Sequence, residues 1–467
     1  MLEKFEDVYK CDSITINVTN NCNLSCIYCF EHNKQPEMMD SKTAIDIVDK
    51  AYNSRNKESH GKFMLNFFGG EPFLNWKCMK DVIDHCNEKG YEIFYGVTTN
   101  LTILTDEIME YIDDNELHLL VSVDGKKEIH DKNRSNSYDI VSENIKKLID
   151  NGLGIFVEVR MTILPEDIDK AIDGVKEFLD MGFTNIAPCP VTDTEWNEEQ
   201  LKGLEKYMED LMELYVNKLN DDNSTENFSI KNTDEILLNV LEPDVYTPQM
   251  CPIGSTRWCA FDINGDIYPC HQLPTSEKEH KEDQKIGNIY TGVDRSMLTG
   301  GINPAKYIKE ECETCIGRSI CASGCPEENI RQTGNVDTPS DAYCAVKRAM
   351  VKAVKKYQHK FITATNVRSR SLNVLIENLK IKDYIDTVFK NIDVNDELTF
   401  TVSLAHVDAM IKNLGEENII GSFKDYFTNA IIDKSAKVLA AQGVEDLYLS
   451  QIKPEDAVVT KVIEEEL

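Results

Sequence analysis

The sequence predicts an α/β fold in its N-terminal half, then a cysteine-rich segment held together by ligands rather than by a large apolar core, then a mainly helical C-terminal region. Three observations predict this. Short apolar runs alternate six times with helical patterns between Ser13 and Leu219, eleven of the fifteen cysteines fall into three close-spaced groups, and residues after Met350 repeat apolar positions at helical spacing. Alternation of this kind implies right-handed crossovers and a parallel sheet covered by helices. Six units stop short of the eight of a closed barrel, so a partial barrel and an open doubly wound sheet both satisfy the count.

The strands read SITINV from Ser13, FMLNFF from Phe63, EIFYGV from Glu92, HLLVSV from His118, GIFVEVRMTI from Gly154 and NIAP from Asn185. The helices between and after them read SKTAIDIVDKAY, WKCMKDVIDHCNEK, TDEIMEYIDDN, YDIVSENIKKLIDN, PEDIDKAIDGVKEFLDM and EEQLKGLEKYMEDLMELYVNKL. A polar, proline-bearing stretch around IKNTDEILLNVL suits a linker with one short helix. The expected divisions are therefore 1–220, 221–250, 251–349 and 350–467. In the last, SLNVLIENLKIKDYIDTVFKNI and SFKDYFTNAIIDKSAKVLAAQ read as helices around a strand-like LTFTVSL. That region shows no chemistry and reads as a packing or docking domain.

The chain has 467 residues, enough for two or three domains. Acidic residues outnumber basic ones by 81 to 50, a net charge of −31 that repels phosphate backbones and argues against nucleic acid as a partner. No apolar run is long enough to span a bilayer, and MLEKFEDVYK lacks the layout of a signal peptide, so no membrane association and a cytoplasmic location are expected. Clustered thiols in a reducing compartment point to metal. Cys11, Cys78, Cys86 and Cys189 stand apart. Cys78 and Cys86 read as small core residues two turns apart on one helix, and Cys189 follows the last strand on the rim where substrate would lie.

Directly after the first strand, VTNNCNLSCIYCFEH sets Cys22, Cys26 and Cys29 in a C-x3-C-x2-C loop. Three thiolates on one loop can hold three corners of a [4Fe-4S] cluster and leave the fourth iron open. A structural zinc would want a fourth ligand, for which His32 is the local candidate. The spacing, with aromatic Tyr28 before the last cysteine, resembles the radical S-adenosylmethionine (SAM) superfamily. That resemblance implies a partial TIM-like (β/α)6 barrel and SAM chelated by the open iron. It further implies reductive cleavage of SAM to a 5′-deoxyadenosyl radical, with an electron donor such as flavodoxin or ferredoxin.

The later strand ends, where barrel chemistry gathers, carry further candidates. Gly69, Gly70, Glu71 and Pro72 form a GGEP run that resembles the family segment receiving the SAM amino group. Thr98, Thr99 and Asn100 end the third strand, Ser122, Val123, Asp124 and Gly125 end the fourth, and Arg160 lies in the fifth. The resemblance implies cofactor contacts for Asn100, Ser122, Asp124 and Arg160, although Asn and Asp-Gly also end strands for ordinary turn reasons. HDKNR, with His130, Asp131 and Arg134, is similar to a segment of peptide-modifying members; Arg134 reads either as a cofactor contact or as a surface charge.

The second cysteine set runs Cys251-x13-Gly265-x4-Cys270, then Cys312-x2-Cys315-x5-Cys321-x3-Cys325, then Cys344. It resembles the SPASM domain of radical SAM enzymes that modify peptides, with Cys259 as an eighth thiol. Eight thiolates suffice for two four-iron clusters; two zinc sites are the alternative. The resemblance implies Cys251, Cys259, Cys270 and Cys325 on a first auxiliary cluster and Cys312, Cys315, Cys321 and Cys344 on a second, three [4Fe-4S] clusters in all. Such clusters would take an electron from the substrate radical. If Cys259 does not bind at rest, a site is left for a substrate thiolate.

His271, in NGDIYPCHQL, stands where sulfatase-maturing relatives carry an Asp base, and an imidazole can still take a proton at neutral pH. YPCHQ is more similar to maturases that build thioether crosslinks in ribosomally made peptides. The expected function is therefore oxidative peptide modification, with a thioether crosslink as the product. Formylglycine formation by an anaerobic sulfatase maturase and a zinc-stabilised peptide binder without redox chemistry are the alternatives. Leader recognition would fall to the C-terminal region, a separate protein or the barrel itself.

Overall fold

The computed structural model describes residues 2–31, 34–55, 61–219, 229–231, 233, 236–237, 240, 253–273, 284–299, 309–318, 321, 323–362, 370–415, 419 and 421–441. Cys251, His32 and most of the linker with its short helix lie outside them. The chain divides into two compact units. One comprises Met1–Tyr215, Phe228–Thr233 and Pro248–Val354, the other Val216–Asn227, Asp234–Thr247 and Lys355–Leu467.

In the first unit the strands are β1 (Ser13–Thr19), β2 (Phe63–Gly69), β3 (Ile93–Thr99), β4 (His118–Ser122), β5 (Val157–Ile163), β6 (Asn185–Pro190) and β7 (Ser229–Ile230). The cysteine-rich segment adds β8 (Trp258–Phe261), β9 (Asp266–Tyr268), β10 (Gly287–Asn288) and β11 (Gly292–Val293). All eleven form one sheet in the order β11-β10-β9-β8-β1-β2-β3-β4-β5-β6-β7. From β1 to β7 the neighbours follow chain order and run parallel, with no reversal of winding. A doubly wound sheet turns back at a switch point, so this order is that of a partial barrel. The cysteine-rich segment joins it edge to edge: β8 pairs parallel with β1, setting Ser13 opposite Trp258 and Ile14 opposite Cys259.

The helices form where the pattern puts them and stop for local reasons. α1 is the short Phe5–Val8; α2 is Ser41–Ser54, capped by Asp40, whose carboxylate accepts Thr43 N–H at 3.0 Å. α3 (Trp76–Lys89) ends at Gly90, which takes the left-handed conformation at φ +65°. α4 (Asp106–Asp114) is capped by Thr105. α5 (Lys127–Asn133), unanticipated as a helix, contains HDKN; α6 is Tyr138–Asp150. The segment PEDIDKAIDGVKEFLDM divides into a 3-10 turn, Pro165–Lys170, and α7, Ala171–Asp180; α8 is Glu198–Leu219. The fifth strand begins at Val157 rather than Gly154, because Leu153–Phe156 closes a 3-10 turn behind Gly152.

Side chains of β1 alternate between two environments. Ile14, Ile16 and Val18 are buried on the helix-covered side, where Phe5 of α1 packs 5.8 Å from Phe261, the partner of Ile16. Thr15, Asn17 and Thr19 face the other way, and Trp258 Nε1 donates to Thr15 Oγ1 at 3.4 Å.

In the second unit, helices Arg370–Thr387, Glu397–Leu414 and Gly421–Ala441 bury Ile381, Ile385, Phe389, Val407, Ile411, Phe427 and Ile431 together. The expectation of a strand at LTFTVSL fails. Asp396 accepts Thr399 N–H at 3.0 Å and starts a helix there, and Ser403, Val407 and Ile411 then supply a buried helical stripe. Among the described residues no helix is long and apolar enough to cross a membrane.

Gly69 and Gly70 are fixed by close approach. A Cβ on Gly70 would stand 2.2 Å from the carbonyl oxygen of Asn21, and one on Gly69 2.2 Å from that of Thr19. Both obstacles are backbone. Gly70→Ala is expected to cost about 1–3 kcal/mol by overpacking and to displace the cysteine loop. Thermal unfolding together with iron uptake on reconstitution checks this; a variant matching wild type in both would show that the loop does not depend on the contact.

Candidate functional site

Residues 20–29 follow β1 and carry Cys22, Cys26 and Cys29, each half-buried. The loop is held from two sides. On one, Gly70 N–H donates to Thr19 O at 2.9 Å and Glu71 N–H to Asn21 O at 2.8 Å. Glu71, 1% exposed, turns its carboxylate inward to accept Thr99 Oγ1 and Asn100 N, each at 2.7 Å, and Phe73 N at 3.2 Å. Pro72 opens the 3-10 turn that follows. Glu71 thus locks the end of β2 to that of β3, and Asn100 is aimed back at the loop: its Nδ2 donates to Asn23 Oδ1 at 3.0 Å and reaches Cys22 Sγ at 3.9 Å.

On the other side, Ile27 N–H donates to Asn133 O at 3.0 Å and Ser25 N–H to Ser135 Oγ at 2.9 Å. Ser135 and Asn136 both adopt positive φ, which lets the chain turn sharply out of α5 toward the loop. Behind these contacts lies a buried ion pair. Arg134 Nε stands 3.1 Å from Asp124 Oδ2, and both side chains are almost wholly enclosed. Tyr28 Oη donates to the same oxygen, Thr162 N–H donates to Asp124 Oδ1 at 3.1 Å, and the guanidinium lies 5.2 Å from the centre of the Tyr28 ring. Arg134 Nη1 then reaches Cys26 Sγ at 3.9 Å. Both oxygens of Asp124 are therefore engaged within the protein, and Arg134 is no surface charge.

Ser122 ends β4 directly opposite Arg160 of β5 in the register. Arg160 is exposed on the inner face, and its charge acts on His271. The His271 ring meets Phe68 edge-on at 4.9 Å and lies 6.0 Å from Trp258, while Phe68 stacks on Phe30 at 6.3 Å. One aromatic wall thus runs from the residue after Cys29 to the residue after Cys270.

Cys312, Cys315, Cys321 and Cys344 line a single pocket together with Arg318, Lys347 and Arg348. Of the other expected set, Cys270 is buried beside Ile253, Tyr268 and Leu273 against Trp258, and Cys325 precedes the helix Pro326–Thr333. Cys259 is placed differently. It is adjacent in β8 to Trp258, so it points to the opposite face, where its thiol meets that of Cys11 near Tyr9. The structure therefore sets Cys259 on the strand face away from Trp258, against which Cys270 packs. Cys78 and Cys86 are buried in α3, and Cys189 pairs with Thr162 in the register of β5 and β6. Among the described residues no three His, Cys, Asp or Glu side chains form a group that could hold a single metal ion; thiolates of a four-iron cluster instead hold separate corners.

Residues 16–179 match the family model of the radical SAM superfamily. The chain carries a radical SAM domain. The chain is an enzyme related to maturases. It is 25% identical over 336 residues to a cysteine-type anaerobic sulfatase-maturating enzyme of Clostridium novyi (strain NT), covering 66% of this chain and 85% of that one. Native anSMEcpe with bound AdoMet has a similar fold, with a TM-score of 0.60 at 18% identity over 74% of this chain and 98% of that chain. Streptococcus suis SuiB bound to precursor peptide SuiA has a TM-score of 0.51 at 15% identity over 73% and 77%.

The electrostatics of the radical SAM site suit metal-bound sulfur. Burial pushes the Cys22 thiol up to about 11 and raises that of Cys29, so an unaided thiolate is disfavoured at both. A bound cation inverts that balance. The surroundings already favour it: Leu24 N–H donates to Cys22 Sγ at 3.4 Å, and Lys34, whose Nζ donates to Leu24 O at 2.6 Å, stabilises both thiolates. The donor set thus fits an iron-sulfur cluster on these three residues. Lys34 and Ser135 were missed from sequence; the run SNS after HDKNR was the one available signal for the turn. Burial pushes Glu71 up to about 7 against its three donors.

His130, fully buried in α5, accepts Asp124 N–H on Nδ1 at 3.4 Å and holds Ser137 Oγ at 2.9 Å with Nε2. Ser137 Oγ donates to Arg134 O, so the tautomer with hydrogen on Nε2 satisfies every partner. Burial, helped by Arg134, pushes His130 down to about 4 from 6.5. A depressed folded-state value means stability is intact above pH 6.5 and is lost as pH falls toward 4. The loss is about 3 kcal/mol. His130→Gln is expected to flatten the acid limb of a stability–pH curve in that window; an unchanged limb would remove His130 as its cause.

Proposed function

We propose that this chain reductively cleaves SAM at Cys22, Cys26 and Cys29 and oxidatively modifies a ribosomally made peptide, forming a sulfur-to-carbon crosslink. The observation that carries the proposal is the clamped three-thiol loop at the strand ends, with donors aimed at two of its sulfurs. When bound there, a four-iron cluster with one open iron supplies the electron that splits SAM and so yields the 5′-deoxyadenosyl radical. The chain's own residues supply the rest. Ser122 and Arg160, neighbours across β4 and β5, are a hydroxyl and a cation, suited to the carboxylate of SAM.

His271 faces the same interior as a candidate base. Packing against Phe68 and Trp258, with the Arg160 charge added, pushes the imidazole down to about 4. It is therefore unprotonated at neutral pH and weakly basic, and anionic iron-bound sulfur on the adjacent Cys270 would raise its basicity.

Cys312, Cys315, Cys321 and Cys344 would hold a closed auxiliary cluster, with Arg318, Lys347 and Arg348 balancing its negative charge. Cys270 and Cys325, with Cys251, would hold the first auxiliary cluster one thiolate short, because Cys259 faces Cys11. An incomplete set favours binding of a substrate cysteine, which supports the crosslink reading. SuiB, of similar fold, is bound to a precursor peptide, which supports a peptide substrate. An electron donor such as a flavodoxin or ferredoxin would serve it, and any leader recognition would fall to the C-terminal region, a separate protein or the barrel itself.

Formylglycine formation is the second reading, favoured by the sulfatase-maturating relative, which this chain matches over 85% of its length.

Anaerobically reconstituted protein is expected to hold about twelve irons from three four-iron clusters and, with dithionite and SAM, to release 5′-deoxyadenosine. Replacing Cys22, Cys26 and Cys29 by Ala should abolish that release. A cysteine-containing precursor should lose two hydrogens per crosslink; exchange of cysteine sulfur for oxygen would establish the formylglycine reading instead. Two zincs and no iron would refute both. Within the same assay, Cys259→Ala should keep the wild-type iron content, while Cys312→Ala should lose about four irons; parallel losses would return Cys259 to the ligand set.

A further inference from the structure

Asn100 and Arg134, for which the sequence suggests cofactor contacts, are each drawn to a sulfur of the loop. Asn100 Nδ2 lies 3.9 Å from Cys22 Sγ and Arg134 Nη1 lies 3.9 Å from Cys26 Sγ. The two donors differ in charge. Asn100 is a neutral amide whose Oδ1 is occupied by Thr102 N at 2.9 Å and Thr102 Oγ1 at 2.7 Å, which fixes its NH2 toward the loop. Arg134 is a buried cation. It is always protonated, and the buried Asp124 carboxylate beside it offsets the cost of burying its charge.

The ion pair is also oriented. Asp124 lies on the Nε side of the guanidinium and Cys26 on the Nη1 side, so the cationic end of the pair is presented to sulfur. Arg134 cannot swing away easily: its main-chain oxygen is held by Ser137 Oγ at 2.7 Å and its N–H by His130 O at 2.7 Å. Hydrogen bonds and positive charge at a cluster's sulfurs stabilise its reduced, more negative form and raise its reduction potential. A charge-assisted donor is the stronger of the two kinds.

We propose that Arg134, with Asn100 in a lesser part, is a positioning residue that sets the reduction potential of the iron-sulfur cluster on Cys22, Cys26 and Cys29 by donating to the sulfurs of Cys26 and Cys22. This deepens the function proposed above and rests on its assignment of a cluster to those three cysteines. Tyr28, just before the last cysteine, has a part in it: its hydroxyl shares the Asp124 oxygen that holds Arg134, and its ring lies alongside the guanidinium.

The test is a potentiometric titration of anaerobically reconstituted full-length protein. It follows the electron paramagnetic resonance signal that added SAM perturbs, with iron content and SAM dissociation constant measured on the same samples. Arg134→Gln is expected to lower the reduced-to-oxidised ratio at a fixed potential about tenfold, a negative shift of about 59 mV for one electron. Its SAM affinity should stay near wild type. Asn100→Ala should shift the potential in the same direction by less. Arg134→Lys retains charge without the planar fork and should fall between wild type and Arg134→Gln.

A full complement of iron with an unmoved potential in Arg134→Gln would overturn the inference. So would a tenfold loss of SAM affinity at unchanged potential, which would restore the cofactor contact expected from sequence. If Arg134→Gln fails to assemble a cluster, Arg134→Lys decides: a lowered potential supports the inference and a wild-type potential overturns it. Wild-type protein without a SAM-perturbed signal would instead overturn the cluster assignment, and the inference with it.

Discussion

The buried pair of Arg134 and Asp124 is the constraint on which the site depends. A carboxylate removed from water costs several kcal/mol unless it is paired and hydrogen-bonded. Asp124 meets that condition only because three segments converge on its carboxylate: Tyr28 from the loop, Arg134 from the end of α5 and Thr162 from β5, while His130 of α5 accepts the Asp124 main-chain N–H. Removing one partner strands a charge in the interior. The same cost that makes the arrangement expensive makes it specific, since the cysteine loop has one low-energy position relative to the strand ends. Gly69 and Gly70 secure the opposite flank by contact rather than by charge, and there too the obstacle to substitution is backbone.

Charge is distributed against the trend of the chain. The molecule carries a net −31, yet the sulfurs are met by cations or amide donors: Lys34 and Asn100 at Cys22, Arg134 at Cys26, and Arg318, Lys347 and Arg348 around the pocket of Cys312, Cys315, Cys321 and Cys344. Iron-sulfur clusters with all-thiolate ligation are anionic, and an acidic protein would otherwise hold them at very low potentials and resist reducing them. Local donors can tune each cluster separately because a buried interaction is screened far less than a surface one.

Much of this was legible in the sequence. Strand and helix periods placed β1 to β6, α2 to α4 and α6 to α8 to within a few residues, because each element is long and strongly patterned. Short or polar elements were not. α5 escaped because KEIHDKN lacks an apolar stripe long enough to count, and LTFTVSL misled because its β-branched residues alternate while its real partners lie at helical spacing in the same segment. The site residues were readable by type but less so by contact. Asn100 and Arg134 stand out as polar residues beside strand ends, yet nothing in their spacing says that they reach sulfur. Only the fold brings Arg134 to Cys26, 108 positions apart in the chain.

Cys259 shows where spacing arguments stop. Its interval from Cys270 is compatible with shared ligation, and counting thiols gives it a place on the first auxiliary cluster. Strand geometry decides otherwise. β8 runs in register with β1, Trp258 faces Thr15 on one side, and the next residue must then face the other. A period of two cannot be overcome by a side-chain rotation, so Cys259 could join Cys270 only if β8 slipped by one residue. Such a slip would also expel Phe261 from its contact with Phe5 and turn Trp258 away from His271. The register that buries the junction between barrel and cysteine-rich segment is thus the same register that withholds the eighth thiol.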